Sequence, residues 1–207
     1  MAKDSIISPA MNRRDEILAA AACVFAQHGF RGSTTKRIAD AAGVNEITLF
    51  RHFGSKDTLL REALARCQDQ HSAELLPETP SHPMAELLAW AGSHITDMRG
   101  RQALIRTCMG EFAEHPGLFV PENSGPVRAA QALTQYLTRL RQRGLARAEF
   151  DPSAAAALLI GTLFADAMGR DIMPDLYANQ PEQALKEYIA LFLRGIGADP
   201  EPRGAAR

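Results

Sequence analysis

The sequence has few cysteines, no long hydrophobic run and almost no net charge. Cys23, Cys67 and Cys108 lie more than forty residues apart, which excludes a disulfide framework and a paired-cysteine zinc motif and favours a reducing cytoplasm. The longest nearly apolar stretch, Ala154 to Ala165, has 12 residues, whereas a membrane-spanning helix needs about 20. We therefore expect no membrane span, and the first eleven residues lack the apolar core of a signal peptide.

The composition is that of a folded, soluble protein. Of 207 residues, 46% are hydrophobic and the formal net charge is -1, so the chain can bury enough apolar surface to offset the entropy cost of folding. Residues 1–66 carry ten Lys or Arg and seven Asp or Glu, a net charge of +3, and the remainder has a net charge of -4. The first third is therefore the expected contact for a polyanion.

Apolar residues recur with a helical period and nowhere alternate as in a sheet, which predicts an all-α fold. The first helices are predicted at 12–28, closed by Gly29, at 34–42, capped by Thr34 or Ser33, and at 45–52, followed by a long helix that Ser55 caps. Further helices are predicted at about 84-98, 101-114, 125-143, 152-173 and 182-196, with a loop at 115–123.

The turn Ala42-Gly43-Val44 joins two short helices, which is the geometry of a helix-turn-helix. In this motif the second helix enters the major groove of DNA by its N-terminal residues, and the first helix lies across the backbone. Leu49 and Phe53 are expected to face inward. Ile47 can contact a thymine methyl, and the other outward residues can hydrogen-bond to bases or phosphates. The candidate DNA-binding residues are Thr34, Thr35, Lys36, Asn45, Glu46, Ile47, Thr48, Arg51, His52 and Lys56.

Three of the charged residues have two interpretations. Glu46 is either a cytosine reader or a solvated charge, and we favour the solvated charge because a carboxylate repels phosphate. Arg13 and Arg14 either follow the DNA backbone or minor groove, or are solvated.

The free N–H groups at the helix start near Thr34 suit a phosphate, and Lys56 is placed to hold a second one.

A longer pattern runs through the same region: Ile17-Leu18-Ala19-Ala20-Ala21, Phe25, Gly29-Phe30, Thr34-Thr35, Ile38-Ala39, Ala41-Ala42-Gly43-Val44, Thr48-Leu49-Phe50, His52-Phe53 and Ser55-Lys56. With these residues, 12-62 resembles the DNA-binding domain of the TetR family without a gap. The resemblance implies an all-helical homodimer with a three-helix DNA-binding head. It also implies a C-terminal regulatory domain that binds a small molecule and releases operator DNA.

The resemblance assigns roles to single residues as well. It implies that Thr34 caps the second helix and contacts phosphate, that residues 45–48 read bases, and that Phe50, His52 and Lys56 contact the DNA backbone. Two positions depart from the family pattern. Ile47 stands where the family often has glycine or proline, and Phe50 stands where it usually has tyrosine, which removes a hydroxyl-to-phosphate hydrogen bond.

The helices at 152-173 and 182-196 carry more apolar residues than one core face requires. Either they form a homodimer interface or they belong to a large monomer core. We favour the dimer, and the resemblance places the family's dimer interface on the last two helices. Ala157, Gly161 and Ala165, at a spacing of four, would let partner helices approach closely.

A ligand cavity has no distinct signature here, because a core and an apolar pocket contain the same residue types. Arg101 and Arg106 would favour an acidic ligand if they faced inward. Cys67, His71 and His94 lack a dense cluster of further ligands, so neither a metal site nor a cofactor is predicted. The candidate ligand-binding residues are Trp90, Met98, Cys108, Met109, Phe112, Tyr136, Phe164 and Met168.

The sequence thus predicts a disordered arm at 1-11, a helix-turn-helix domain at 12-62, a ligand-binding and dimerisation domain at 63-197 and a disordered tail at 198-207. The predicted function is a cytoplasmic dimeric transcription regulator, a repressor that a small apolar or amphipathic effector releases from a pseudo-palindromic operator. One alternative is an architectural DNA-binding protein, which the head's net charge of +3 disfavours. The other is a helical enzyme, which the lack of a phosphate-binding glycine loop or nucleophile elbow disfavours.

Overall fold

The computed structural model describes residues 12–69, 76–119, 124–147 and 149–200. Within these ranges the protein is all-α, as predicted, and contains no strand. The predicted arm at 1-11 and residues 201–207 of the predicted tail lie outside the described residues. The helices are α1 (Arg13–Gly32), α2 (Thr35–Ala42), α3 (Glu46–Phe53), α4 (Lys56–Asp69), α5 (Pro83–Gly100), α6 (Gln102–Glu111), α7 (Gly125–Gln142), α8 (Pro152–Gly169) and α9 (Pro181–Gly195).

The chain divides into two compact units. The N-terminal unit comprises Met1–Gln70 and Ala103–Val120, and therefore contains α1 to α4 and nearly all of α6. The C-terminal unit comprises His71–Gln102 and Pro121–Arg207, with α5, α7, α8 and α9. The segment around α6 thus clusters with α1 to α4, although residues 71–102 separate it from them in the chain.

The N-terminal unit has its own hydrophobic core, formed where the inward faces of α1 to α4 meet. Ile17, Phe25, Ile38 and Leu60 are fully buried there, and Leu118 from the later segment packs against them. The Thr107 hydroxyl of α6 also donates a hydrogen bond to the Ala26 carbonyl at 2.9 Å. Local periodicity therefore builds the three-helix head, and a distant segment completes its core.

The C-terminal unit packs α5, α7 and α9 around α8. Its core includes Trp90, Leu137, Leu159 and Ile189, all of which are buried. By length and composition α8 is apolar enough to span a membrane, but a core helix of a soluble protein passes the same test. One side of α8, including Leu159, is buried in this core.

Three segments differ from the sequence prediction. The predicted loop at 115–123 contains a short 3₁₀ helix, Pro116–Leu118, because proline is tolerated in a first helical turn. Helix α8 ends at Gly169 rather than at residue 173, since Pro174 disfavours helical backbone at the residue before it. Ala198, placed in the predicted tail, is buried and pairs with Ala146 in an isolated bridge.

Candidate DNA-binding surface

Helices α2 and α3 form the predicted helix-turn-helix. Gly43 ends α2 with a φ of +63°, a left-handed conformation that glycine adopts without strain. The N–H of Val44 then donates to the Ala39 carbonyl at 3.0 Å, which closes the turn. Leu49 and Phe53 are buried, as predicted, so the opposite side of α3 is left to solvent.

Short polar contacts fix the start of each helix. Thr34 accepts a hydrogen bond from the Arg37 N–H at 3.2 Å, which confirms it as the cap of α2. The Asn45 Oδ1 atom caps α3 by accepting from both the backbone N–H and the hydroxyl of Thr48, at 2.8 and 2.9 Å. Asn45 and Thr48 therefore already use part of their hydrogen-bonding capacity within the protein.

Glu46 also has a partner inside the head. It is half-buried, and its Oε2 atom accepts a hydrogen bond from the Thr35 hydroxyl at 2.5 Å. The expectation that Glu46 is simply a solvated charge is therefore wrong, because the carboxylate ties the first turn of α3 to the first turn of α2. The capping motif predicts the helix starts, but it does not predict this contact between them.

The exposed side of α3 is mixed in character. Ile47 is 78% exposed and Phe50 is 50% exposed, and both lie beside the exposed Arg51 and His52. Lys36 on α2 is exposed too, and neither Lys36 nor Arg51 makes a hydrogen bond or ion pair with another described residue. We give the name α3 face to the exposed surface around α3. It consists of Asn45, which caps the helix, of Ile47, Phe50, Arg51 and His52 on the helix, and of Lys36 on α2.

Lys56 and the two N-terminal arginines have protein partners. The Lys56 ammonium donates to the Phe30 carbonyl at 2.9 Å and lies 3.7 Å from the centre of the Phe30 ring. Arg13 pairs with Glu16 at 2.8 Å, and Arg14 pairs with Glu62. An ammonium has three N–H donors, so a phosphate contact by Lys56 stays a prediction.

The contacts around Phe30 are functional candidates that the sequence did not reveal. The Phe30 N–H donates to the Glu111 carboxylate at 2.9 Å, and the His115 ring stacks on the Phe30 ring with centroids 4.0 Å apart. Gly29 permits this arrangement with a φ of +63°, and a Cβ atom there would collide with the Glu111 carboxylate. Glu111 lies 81 residues from Phe30, so no local pattern could have predicted the contact.

The candidate ligand-binding residues are divided between the two units. Cys108, Met109 and Phe112 belong to the N-terminal unit. Cys108 is half-buried against the core, whereas Met109 and Phe112 are 60% and 55% exposed. The other five belong to the C-terminal unit, where Met98 and Phe164 are half-buried and Trp90, Tyr136 and Met168 are buried.

Two buried polar contacts accompany the candidates of the C-terminal unit. The Tyr136 hydroxyl donates to Glu86 at 2.6 Å, and burial together with this hydrogen bond raises the pKa of Tyr136. His94 stacks on Trp90 with ring centroids 4.1 Å apart, and burial lowers the pKa of His94. The Arg101 guanidinium pairs with Asp97.

The C-terminal unit also has an open groove of about 1100 Å³. None of the eight candidate ligand-binding residues lines it. Its lining includes Met84, Leu145, Arg147, Lys186 and Arg194. No group of three or more His, Cys, Asp or Glu side chains suited to a metal occurs among the described residues, and His71 lies outside them.

A helix-turn-helix with buried Leu49 and Phe53 and an exposed second helix defines a DNA-binding protein of the helix-turn-helix class. Residues 17–63 match the family described as bacterial regulatory proteins, tetR family. Residues 17–63 are therefore a DNA-binding domain of the TetR type, and the chain resembles DNA-binding transcription regulators.

Three comparisons support this assignment. The HTH-type transcriptional regulator YvkB of Bacillus subtilis is 27% identical over 184 residues, which cover 88% of this chain and 96% of YvkB. The HTH-type transcriptional repressor KstR2 of Mycolicibacterium smegmatis is 44% identical over 64 residues, 31% of each chain. The crystal structure of AibR with isovaleryl coenzyme A and operator DNA has the same fold, with a TM-score of 0.64 and 19% identity over 91% of this chain and 99% of AibR.

Proposed function

We propose that this protein is a cytoplasmic homodimeric repressor without catalytic activity, which a small apolar or amphipathic effector releases from a pseudo-palindromic operator. The observation that carries the proposal is the exposed α3 face on a helix whose opposite side is buried. The 44% identity over 64 residues to the repressor KstR2 supports repression. YvkB, similar over nearly its whole length, is an HTH-type transcriptional regulator, which supports a regulatory function here.

In this proposal the DNA contacts fall into two groups. Asn45, Glu46, Ile47, Thr48 and Arg51 face the bases from the first turns of α3. A second set surrounds them and faces phosphates, which positions the protein without reading sequence. This set consists of Thr34, Thr35, Lys36, Phe50, His52 and Lys56.

Selection from a random DNA pool at about 150 mM salt tests the DNA-reading role. A two-fold symmetric site is expected, because two recognition helices of a dimer reach successive major grooves about 34–36 Å apart. Enrichment of no sequence would favour the alternative, an architectural DNA-binding protein.

Two variants separate phosphate contacts from base contacts on the selected site. Lys56→Ala should weaken binding to specific and scrambled DNA alike and lower the salt slope by about one. Thr48→Ala should weaken specific binding more and relax the preference at particular base pairs. Equal losses on both DNAs for Thr48→Ala, measured by fluorescence anisotropy, would refute its role as a base reader.

The proposed dimer interface uses the exposed side of α8 and part of α9. Small residues line this side of α8, where Ala157, Gly161 and Ala165 are exposed. Leu158 is 67% exposed and Leu191 on α9 is 60% exposed. Large exposed apolar side chains on adjacent helices are typical of a protein–protein contact, and small residues between them permit close helix approach.

Sedimentation velocity of two charge variants tests the interface. Leu158→Asp should give a monomer, because the new carboxylate would be buried without a partner. Lys186→Asp, also an exposed position on the last two helices, should leave the dimer intact. A wild-type chain that sediments as a monomer at micromolar concentration would exclude the dimeric repressor.

The proposed effector site lies among the apolar candidates of the C-terminal unit. AibR, which has the same fold, was solved with isovaleryl coenzyme A and operator DNA, and this supports an acyl thioester as one class of effector. Trp90 is the one tryptophan of the chain and is buried, so its fluorescence can report binding. Apolar acids and acyl thioesters should be titrated while Trp90 emission and operator release are followed together. Release without a change in Trp90 emission would place the effector elsewhere.

A further inference from the structure

The polar side chains at the start of α3 are largely engaged within the protein. Asn45 and Thr48 are hydrogen-bonded to each other, and Glu46 accepts from Thr35. A side chain that leaves an internal partner to bind a base gains less than one that is free, because one hydrogen bond replaces another. These three residues therefore contribute less to base discrimination than their types suggest.

The large apolar side chains of the same turns are left substantially exposed. Ile47 is 78% exposed and Phe50 is 50% exposed. At a spacing of three they lie on the same side of the helix. Among the described residues of α1 to α4, these two are the large hydrophobic side chains that are exposed.

The edges of base pairs in the major groove offer one apolar group to such a surface, the C5-methyl of thymine. 5-Methylcytosine carries a methyl at the same ring carbon. Resting on the proposed function, we infer that Ile47, flanked by Phe50, is a specificity-determining residue that reads a pyrimidine C5-methyl group in each operator half-site. Ile47 stands at the second position of α3, within the N-terminal turn that enters the groove in this motif.

Removal of single methyl groups from the DNA tests this inference. In the operator recovered by selection, each thymine is replaced by deoxyuridine at symmetry-related positions, which removes the methyl and keeps every hydrogen-bonding group. At the thymine that Ile47 contacts, substitution in one half-site should lower the affinity of the wild-type protein about fourfold, because one methyl is withdrawn from apolar contact. Substitution in both half-sites should lower it about 15-fold. Ile47→Ala should bind the thymine and uracil operators equally.

Two controls make the result specific. Lys36→Ala should weaken binding to both operators by the same factor, so the thymine-to-uracil ratio remains that of the wild type. At the same position, 5-methylcytosine should be bound more tightly than cytosine by the wild type and equally by Ile47→Ala. This second arm shows whether the methyl alone is read, in whichever pyrimidine carries it.

The outcomes separate this inference from the proposed function. If a symmetric operator is recovered but every uracil substitution is neutral, the DNA-reading function stands and the methyl reading is wrong. If Ile47→Ala weakens both operators and keeps the uracil penalty, another residue reads the methyl. If no operator is recovered, the proposed function itself fails.

Discussion

Both units pair polar side chains internally and leave large apolar side chains exposed, but they bury the paired carboxylates to different depths, with Glu46 half-buried and Asp166 fully buried. On α3 of the N-terminal unit, polar residues pair with each other and Ile47 is left exposed. The C-terminal unit buries the charged Asp166, which is 1% exposed, while Leu158 on the same helix is 67% exposed. In both units internal polar contacts fix geometry, and the exposed apolar side chains mark the surfaces proposed to bind DNA or a second protomer.

Asp166 offers the largest expected effect. Its carboxylate accepts hydrogen bonds from Arg99 at 2.6 Å and Tyr188 at 3.0 Å, and it pairs with Arg170. Asp166→Ala removes the one buried acceptor that these three side chains share, so we expect the free energy of unfolding to fall by about 3 kcal/mol or more in urea titrations followed by circular dichroism. A loss below about 1 kcal/mol would show that the network stabilises little.

Asp151→Ala is the matched control for this comparison. Asp151 is an exposed carboxylate that caps α8 by accepting from the Ala154 N–H at 2.7 Å. Its removal should lower the free energy of unfolding by about 1 kcal/mol, the usual effect of losing a helix cap. The difference between the two losses of unfolding free energy measures how much more a buried, paired carboxylate stabilises the protein than an exposed capping one at the same helix.

Two glycines of the N-terminal unit give the next effect. Gly29 has a φ of 63° and a ψ of -171°, a region nearly restricted to glycine, and a Cβ atom would displace the Glu111 carboxylate. Gly29→Ala should therefore cost about 2–3 kcal/mol of unfolding free energy. Gly43→Ala should cost only about 1 kcal/mol in thermal or urea unfolding, because its Cβ would meet no atom within 4 Å. A larger loss of unfolding free energy for Gly43→Ala than for Gly29→Ala would contradict the Phe30–Glu111 contact.

The smallest effect is a pH dependence from the C-terminal unit. Burial lowers the pKa of His94, although its hydrogen bond to Trp90 and the nearby Asp97 act in the opposite direction. The unfolded chain then binds the proton more readily, so the free energy of unfolding should fall as pH drops through about 6.5. His94→Asn should therefore flatten the dependence of the unfolding free energy on pH between about pH 7.5 and 5.5. An unchanged slope for His94→Asn would assign the dependence to other groups.

The head could be predicted in detail because its signals are local. The Thr34 cap, the Gly43 turn and the inward Leu49 and Phe53 each follow from a few neighbouring residues. The Thr35–Glu46 and Phe30–Glu111 contacts did not follow, because tertiary packing brings those pairs together.

The C-terminal unit was less predictable for the same reason. Helical periodicity located its helices to within a few residues, except for the end of α8. It could not separate core residues from ligand-binding ones, since Trp90 and Tyr136 satisfy the pattern of either. The pairing of Asp166 with Arg99, 67 residues away, has no local signature.

Whether the α3 face reads a specific DNA sequence can be decided by the ratio of two affinities. Fluorescence anisotropy at about 150 mM salt would compare the selected symmetric site with scrambled DNA of the same length. Binding to the selected site should be at least about 10³-fold tighter. Equal affinity for the two DNAs would contradict this expectation and identify a protein that binds DNA without reading its sequence.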